Sequence, residues 1–191
     1  MNKLVPNVAI LALACLPAVA LAHIGQGDHG FMDGLAHPFL GMDHLLAMLA
    51  VGVWGALYTA RAWLAPACFV AFLAVGALLG QHGFVLPQLE PLVAVSVLAL
   101  GLMLAHPLKP GLAASLALIG GFAVFHGMAH GGELSVGASV LAGIVLGSAA
   151  LHAAGIGLAC FLMKNRPQAR RRFGQLLALL GGGLILSSVL G

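Results

Sequence analysis

The sequence predicts an all-α membrane protein: a bundle of six transmembrane helices after a cleaved signal peptide, with the N-terminus and C-terminus outside. Three observations lead there. The 191 residues are 61% hydrophobic and 7% charged, with a mean hydropathy of +1.08, whereas about a quarter of an ordinary soluble domain is charged. Turn signals divide the chain beyond residue 22 into six apolar stretches, each near the ~20 residues that cross a bilayer core. The Lys and Arg residues beyond that point fall in alternate loops, the pattern that sets orientation in a membrane.

The first 22 residues contain Lys3, an apolar run over residues 8–19 and the sequence Ala20-Leu21-Ala22. A charge, a short apolar core and a small-x-small end are the parts of a secretory signal, and the run is too short to span a bilayer comfortably. Residues 1–22 are therefore read as a signal peptide, and residues 23–191 as one transmembrane domain that begins at His23. The spans fall near residues 36–58, 62–82, 91–106, 111–131, 135–163 and 173–190, the third short and the fifth long. Arg61 follows the first span, Lys109 the third, and Lys164, Arg166, Arg170, Arg171 and Arg172 the fifth. Asp28 and Asp33 precede the first span, and Glu90 and Glu133 lie at the two other outward loops. Short loops rich in Lys and Arg face the cytoplasm, so the expected location is the bacterial inner membrane. The net charge of +3 is then a topology signal, and no nucleic-acid partner is expected.

Glycines recur at helix-packing spacing: Gly76 with Gly80, Gly127 with Gly131, and Gly143 with Gly147. Each G-x-x-x-G lets two helix backbones approach closely. Cys68 and Cys160 lie inside apolar segments as small hydrophobes, and neither a disulfide framework nor a thiolate metal site is indicated.

An ionisable side chain within a bilayer costs roughly 2.5–3.5 kcal/mol on insertion scales, so one that persists usually has a partner or a function. Two stretches concentrate such groups. His37-Pro38-Phe39-Leu40-Gly41-Met42-Asp43-His44 opens the first span. A continuous helix there sets His37 and His44 on one face about 10 Å apart, with Asp43 about 100° round from His44. Phe125-His126-Gly127-Met128-Ala129-His130-Gly131-Gly132-Glu133 closes the fourth span, and His126, His130 and Glu133 share a face by their i, i+4, i+7 spacing. The first span enters from outside and the fourth returns toward it, so both clusters fall at one depth. His37, Asp43, His44, His126, His130 and Glu133 are thus the candidate metal ligands. Four imidazoles and two carboxylates suit a borderline dication such as Ni²⁺, Co²⁺ or Zn²⁺ better than Mg²⁺ or Ca²⁺. A polar network satisfied within the bundle is the alternative.

His152, past the middle of the fifth span, is either a deeper relay ligand or a packed core histidine. Cleavage would give His23 a free α-amino group beside its imidazole, with Asp28 and His29 near it; an unstructured tail is the other reading. His82 and His106 cap the second and third spans at the interface. Met48, one turn beyond His44, offers a thioether that suits copper(I), whereas Met128 points away from His126.

At these residues the chain resembles the HupE/UreJ family, the hydrogenase and urease accessory membrane proteins regarded as nickel permeases. The resemblance spans essentially the whole chain. It includes a leader ending before a histidine, His37-Pro38 and Gly41-Met42-Asp43-His44 with Met48 beyond, Phe125-His126-Gly127 through His130-Gly131 and Glu133, and Leu151-His152-Ala153. It implies that transport depends on His37, Asp43 and His44 and on His126, His130 and Glu133. It further implies Ni²⁺ as the transported ion, with Co²⁺ the runner-up, no organic cofactor, no enzymatic activity, and delivery to cytoplasmic metallochaperones or hydrogenase or urease maturation proteins. Ser135 departs from the pattern, which has a proline soon after the glutamate.

No Walker A sequence is present, so energy for transport comes from gradients or from a partner. A dication moving inward gains about 4.6 kcal/mol per 100 mV of membrane potential, twice the single-charge value. That suffices for a channel or uniporter. One rival is an intramembrane zinc hydrolase, in which three protein ligands and an open position activate water. Against it, Gly127 stands where H-E-x-x-H places its general base, which leaves Glu133 as the substitute. A b-type haem protein with axial histidines is a second rival, and a receptor that binds metal without moving it has the same sequence signature. Membrane lipid is an expected partner, and a homo-oligomer is compatible with the sequence.

Overall fold

The computed structural model describes residues 30–84, 86–106, 111–133 and 137–190, with the side chain of Glu133 outside the described part. The predicted signal peptide, His23, Asp28, His29, Lys109 and Ser135 lie outside the described residues. Regular structure among the described residues is helical throughout. It comprises α1 (Phe31–Leu40), α2 (Met42–Tyr58), α3 (Leu64–Gln81), α4 (Leu89–Ala105), α5 (Leu112–Glu133), α6 (Ala138–Leu158) and α7 (Pro167–Leu190), and α6 continues as a π-helical turn over Ala159–Met163. Four helices, α3, α5, α6 with its π turn, and α7, are long and apolar enough to cross a membrane. α1 and α2 together make a fifth, broken candidate span, and α4 is apolar but 17 residues long. The chain is a multi-pass membrane protein.

The first span is not the continuous helix expected over residues 36–58. Pro38 sits inside α1, where it has no N–H to donate and crowds the carbonyl four residues back. Gly41 then adopts an extended conformation, φ −83° and ψ 120°, and α1 and α2 meet at 84°. Asp43 begins the new helix, its Oδ1 accepting the His44 backbone N–H at 2.8 Å, as an acidic side chain in a first helical turn should. His37 and His44 therefore do not share a helical face. They approach instead across the bend, with ring centroids 6.5 Å apart.

The last span differs too. α7 begins at Pro167, not Phe173, so Arg170, Arg171 and Arg172 belong to its early turns and not to a loop. Proline is pre-shaped for a first helical position and arginine is a good helix former, so the charge run does not end the helix. The remaining spans lie within a few residues of their expected positions.

Glycines set how the helices meet. A Cβ on Gly76 of α3 would fall 3.0 Å from the Gly127 Cα of α5, and one on Gly80 would fall 3.1 Å from the Gly131 Cα. The two G-x-x-x-G motifs therefore face each other in register, and α3 and α5 run parallel. Gly143 and Gly147 of α6 take the α1 backbone at Phe31 and Leu35, and Gly155 lies against Gly52 of α2. α6 thus packs along both halves of the broken span, meeting α1 first and α2 further on. α4 and α7 are antiparallel, with Gly101 against Ala178 and Gly181 against Leu98. Met48, Val51, Phe69, Leu73, Leu100 and Ile144 fill the core among these pairs.

Gly127→Leu would drive a side chain into the Leu73 carbonyl and the Ala77 amide. Overpacking of this kind costs about 1–3 kcal/mol, so the purified variant should melt clearly below the wild type in detergent. Gly182→Ala, where an added Cβ meets nothing within 4 Å, should melt with the wild type.

Candidate metal centre

α2 starts where α5 ends, at one end of the bundle, and both helices carry histidines there. His44 lies in the first turn of α2, His126 and His130 lie one turn apart near the end of α5, and His37 occupies the last turn of α1. His44, His126 and His130 are buried and His37 is half-buried. The His130 ring centroid is 4.3 Å from that of His44 and 4.7 Å from that of His37, and His126 is 4.6 Å from His44. Four imidazoles from three helices thus form one contiguous group, in the neighbourhood the spacing predicted. Asp43 joins them through His44. Glu133 is the last residue of α5, and its side chain lies outside the described part.

Two of the rings have one nitrogen held and the other free. A carboxylate only accepts, so the 2.8 Å contact between His44 Nδ1 and Asp43 Oδ1 has the imidazole donating. The His44 lone pair is then on Nε2, which is buried and makes no hydrogen bond. His126 is set by Ser96 of α4, which is fully buried. Ser96 Oγ donates its single proton to the Val93 carbonyl at 2.6 Å, because a carbonyl can only accept. Its 2.7 Å contact with His126 Nε2 is therefore donated by the imidazole, and the His126 lone pair is left on Nδ1, again buried without a partner. Neither ring nitrogen of His130 makes a hydrogen bond. Buried unpaired polar atoms are rare and each calls for a reason; here several gather in one place.

The lone pairs do not aim at one point. Among the described residues, no three His, Cys, Asp or Glu side chains stand in the arrangement of a formed ion site. His37 and His126 meet their neighbours edge-on and His44 is tilted against His130, so that metal–imidazole bonds of about 2.0–2.1 Å require the rings to turn.

A cleft of about 470 Å³ opens onto the group, with His37, Gly41, Asp43, His44, Glu90 and Ser188 in its walls. Gly41 matters for more than the bend, because a Cβ there would fall 3.0 Å from both Asp43 Oδ1 and His44 Nδ1. A side chain would press on the hydrogen bond that holds His44. Glu90, exposed in the first turn of α4, adds a second carboxylate to the cleft. The sequence located it at an outward loop and gave no sign that it shares a cleft with His37, since the two are far apart in the chain.

Deeper in the bundle, the buried ring of Phe69 lies 5.5 Å from His126 and 5.2 Å from His152. It thus separates the four-imidazole group from His152. His152 is buried and reaches only a marginal contact with the Ser148 backbone; neither of its ring nitrogens makes a well-formed hydrogen bond. Met48 and Met128 are both buried, while His82 and His106 are exposed at helix ends. Ser96 and Phe69 are the contributors the sequence did not reveal, because a serine and a phenylalanine in apolar helices look like any others.

An apolar helical bundle that keeps four imidazoles and an imidazole–carboxylate pair near one end defines a multi-pass membrane protein with a polar interior site. The chain belongs to the HupE / UreJ protein family, whose model matches residues 11–184. It is 39% identical over 181 residues to "Protein HupE" of Rhizobium leguminosarum bv. viciae, covering 92% of this chain and 95% of that one. No solved structure matches it.

Outer hydrogen bonds fix the tautomer and aim of a metal-binding histidine, and their loss weakens binding by roughly 10–100-fold. In protein labelled with ¹⁵N-histidine, His126 should carry its proton on Nε2. Ser96→Ala should turn that signal into a tautomer mixture and, if the group takes a metal ion, weaken that binding by a factor in that range. An unchanged spectrum would count against the assignment.

Proposed function

We propose that this chain is a permease that imports a divalent transition metal ion, Ni²⁺ before Co²⁺, across the bacterial inner membrane to serve maturation of a cytoplasmic metalloenzyme, hydrogenase or urease. The observation that carries the reading is the contiguous group of His37, His44, His126 and His130, the last three buried, beside a cleft lined by Asp43 and Glu90. Imidazole with carboxylate is a donor set that suits such ions. Membership of the HupE / UreJ family and the likeness to the rhizobial HupE support it.

The reading includes six crossings, with α1 and α2 as one broken span and α4 as a short one, and a mature N-terminus outside after removal of residues 1–22. Asp33, Asp43 and Glu90 lie toward one end of the helices, and Arg61, Lys164 and the α7 arginines lie toward the other. Short basic segments face the cytoplasm, so the imidazole group is the outer mouth of the path.

An ion drawn in by Asp43 and Glu90 exchanges water for the imidazoles of His37, His44, His130 and His126, passes the Phe69 ring, meets His152 and leaves at the basic end. Asp43 and Ser96 act by keeping the lone pairs of His44 and His126 available. The membrane potential supplies the inward drive, about 4.6 kcal/mol per 100 mV for a dication. Ligand exchange accounts for every step. No bond is made or broken in a substrate, and the assignment is to transport and not to catalysis.

Uptake of radiolabelled Ni²⁺ and Co²⁺ into proteoliposomes tests this. Wild type should accumulate Ni²⁺ in preference to Co²⁺, His44→Ala and His130→Ala should fall to the level of empty vesicles, and His82→Ala should behave as wild type. Glu90→Gln should lower uptake on the order of tenfold, the equivalent of about 1.4 kcal/mol. Uptake that survives both histidine changes would sink the proposal, and binding without uptake would reassign the protein as a receptor.

A further inference from the structure

At the opposite end of the bundle a second cleft, of about 360 Å³, lies between the end of α4 and the start of α7. His106, Gln168, Arg170 and Arg171 line it with Ala105 and Pro167. The metal path gives these residues no task.

Charge is the first observation. The acidic residues within the helices all belong to the other end: Asp33 early in α1, Asp43 and Glu90 in the first turns of α2 and α4, and Glu133 at the end of α5. The cleft end carries Arg61, Lys164, Arg166, Arg170, Arg171 and Arg172. No helical carboxylate is placed to neutralise them, so their counter-charge comes from outside the helices.

The second observation is the state of Arg170. Its guanidinium carbon lies 5.6 Å from the centre of the Tyr58 ring, and Tyr58 is itself stacked on Trp54 at 5.7 Å. This fixes the guanidinium against the wall of the cleft, so little freedom is lost when it binds a ligand. Its Nε is nevertheless buried and makes no hydrogen bond. A buried donor without an acceptor is costly, more so when charged.

Place and chemistry supply the third. The cleft lies at helix ends, where spans of this length meet the membrane surface, and Leu102 of α4 and Phe161 and Leu162 of the π-helical turn are exposed apolar side chains. Guanidinium groups match phosphate oxygens in a bidentate fork, and basic pockets between transmembrane helices take phospholipid headgroups. We propose that this cleft binds a phosphate group, carried by the headgroup of an anionic phospholipid in the adjoining leaflet.

Native mass spectrometry of the full chain in detergent tests the proposal, with phosphatidylglycerol, phosphatidylcholine and inorganic phosphate as probes. Wild type should retain phosphatidylglycerol over phosphatidylcholine by at least about tenfold, a difference of roughly 1.4 kcal/mol. His106→Ala with Arg171→Gln leaves the Arg170–Tyr58 contact intact and should abolish that preference. Arg166→Gln with Arg172→Gln removes more formal charge but no lining residue, and should keep it. If inorganic phosphate binds without any lipid preference, and is lost only in the cleft variant, the site stands and its ligand is a soluble phosphate. Binding of neither probe, retention by the cleft variant, or equal loss in both variants would overturn the proposal in favour of diffuse surface charge. None of these readouts depends on metal uptake, so the outcome is separate from that of the permease assignment.

Discussion

Imidazole nitrogens enclosed in an apolar bundle are the constraint around which this protein is arranged. A polar atom in such surroundings is costly unless something meets it, and two neighbouring side chains meet part of that need. Asp43 holds one nitrogen of His44 and Ser96 holds one of His126. The nitrogens left over gather beside a cleft instead of finding backbone carbonyls. Packing serves the same end: the facing glycines of α3 and α5 bring those backbones together, which sets Phe69 of α3 directly beneath His126 of α5. The break at Gly41 lets His37 and His44 reach His130 from two directions, which a straight helix entering the bilayer would not allow.

Charge is divided along the bundle as sharply as polarity is. Carboxylates and the four-imidazole group occupy one end, guanidinium groups the other. For a cation moving from the first end to the second, the arginines are an electrostatic obstacle, since unlike surface pairs they have no helical carboxylate beside them. A phosphate seated between His106, Arg170 and Arg171 would lower that obstacle and at the same time tie α4 and α7 to the lipid around them.

Much of this could be read from the chain. Hydropathy located the helices, and the i, i+4 spacing of His126 and His130 placed them together with His37 and His44 because spans one and four share an end. The facing G-x-x-x-G motifs were visible, though not which pairs would meet. The bend was missed for a physical reason: the apolar run over residues 45–58 invites extension back through Phe39, Leu40 and Met42 and hides the punctuation of Pro38 and Gly41, which end one helix before another starts at Met42. The reach of α7 back to Pro167 was missed because charge suggested a loop, whereas arginine has no aversion to a helix. Ser96 and Phe69 escaped notice, and Glu90 was placed only at an outward loop, because each meets its neighbours across helices, and neither a linear motif nor a residue's own chemistry reports which neighbour a tertiary fold will supply.

The central claim is that the imidazole group itself takes the metal ion. X-ray absorption at the nickel edge of the purified, Ni²⁺-loaded protein tests it most directly. The account predicts a shell containing several imidazoles with some oxygen, and a reduced imidazole signal in His130→Ala. A shell of oxygen alone, or one that His130→Ala leaves unchanged, would contradict it.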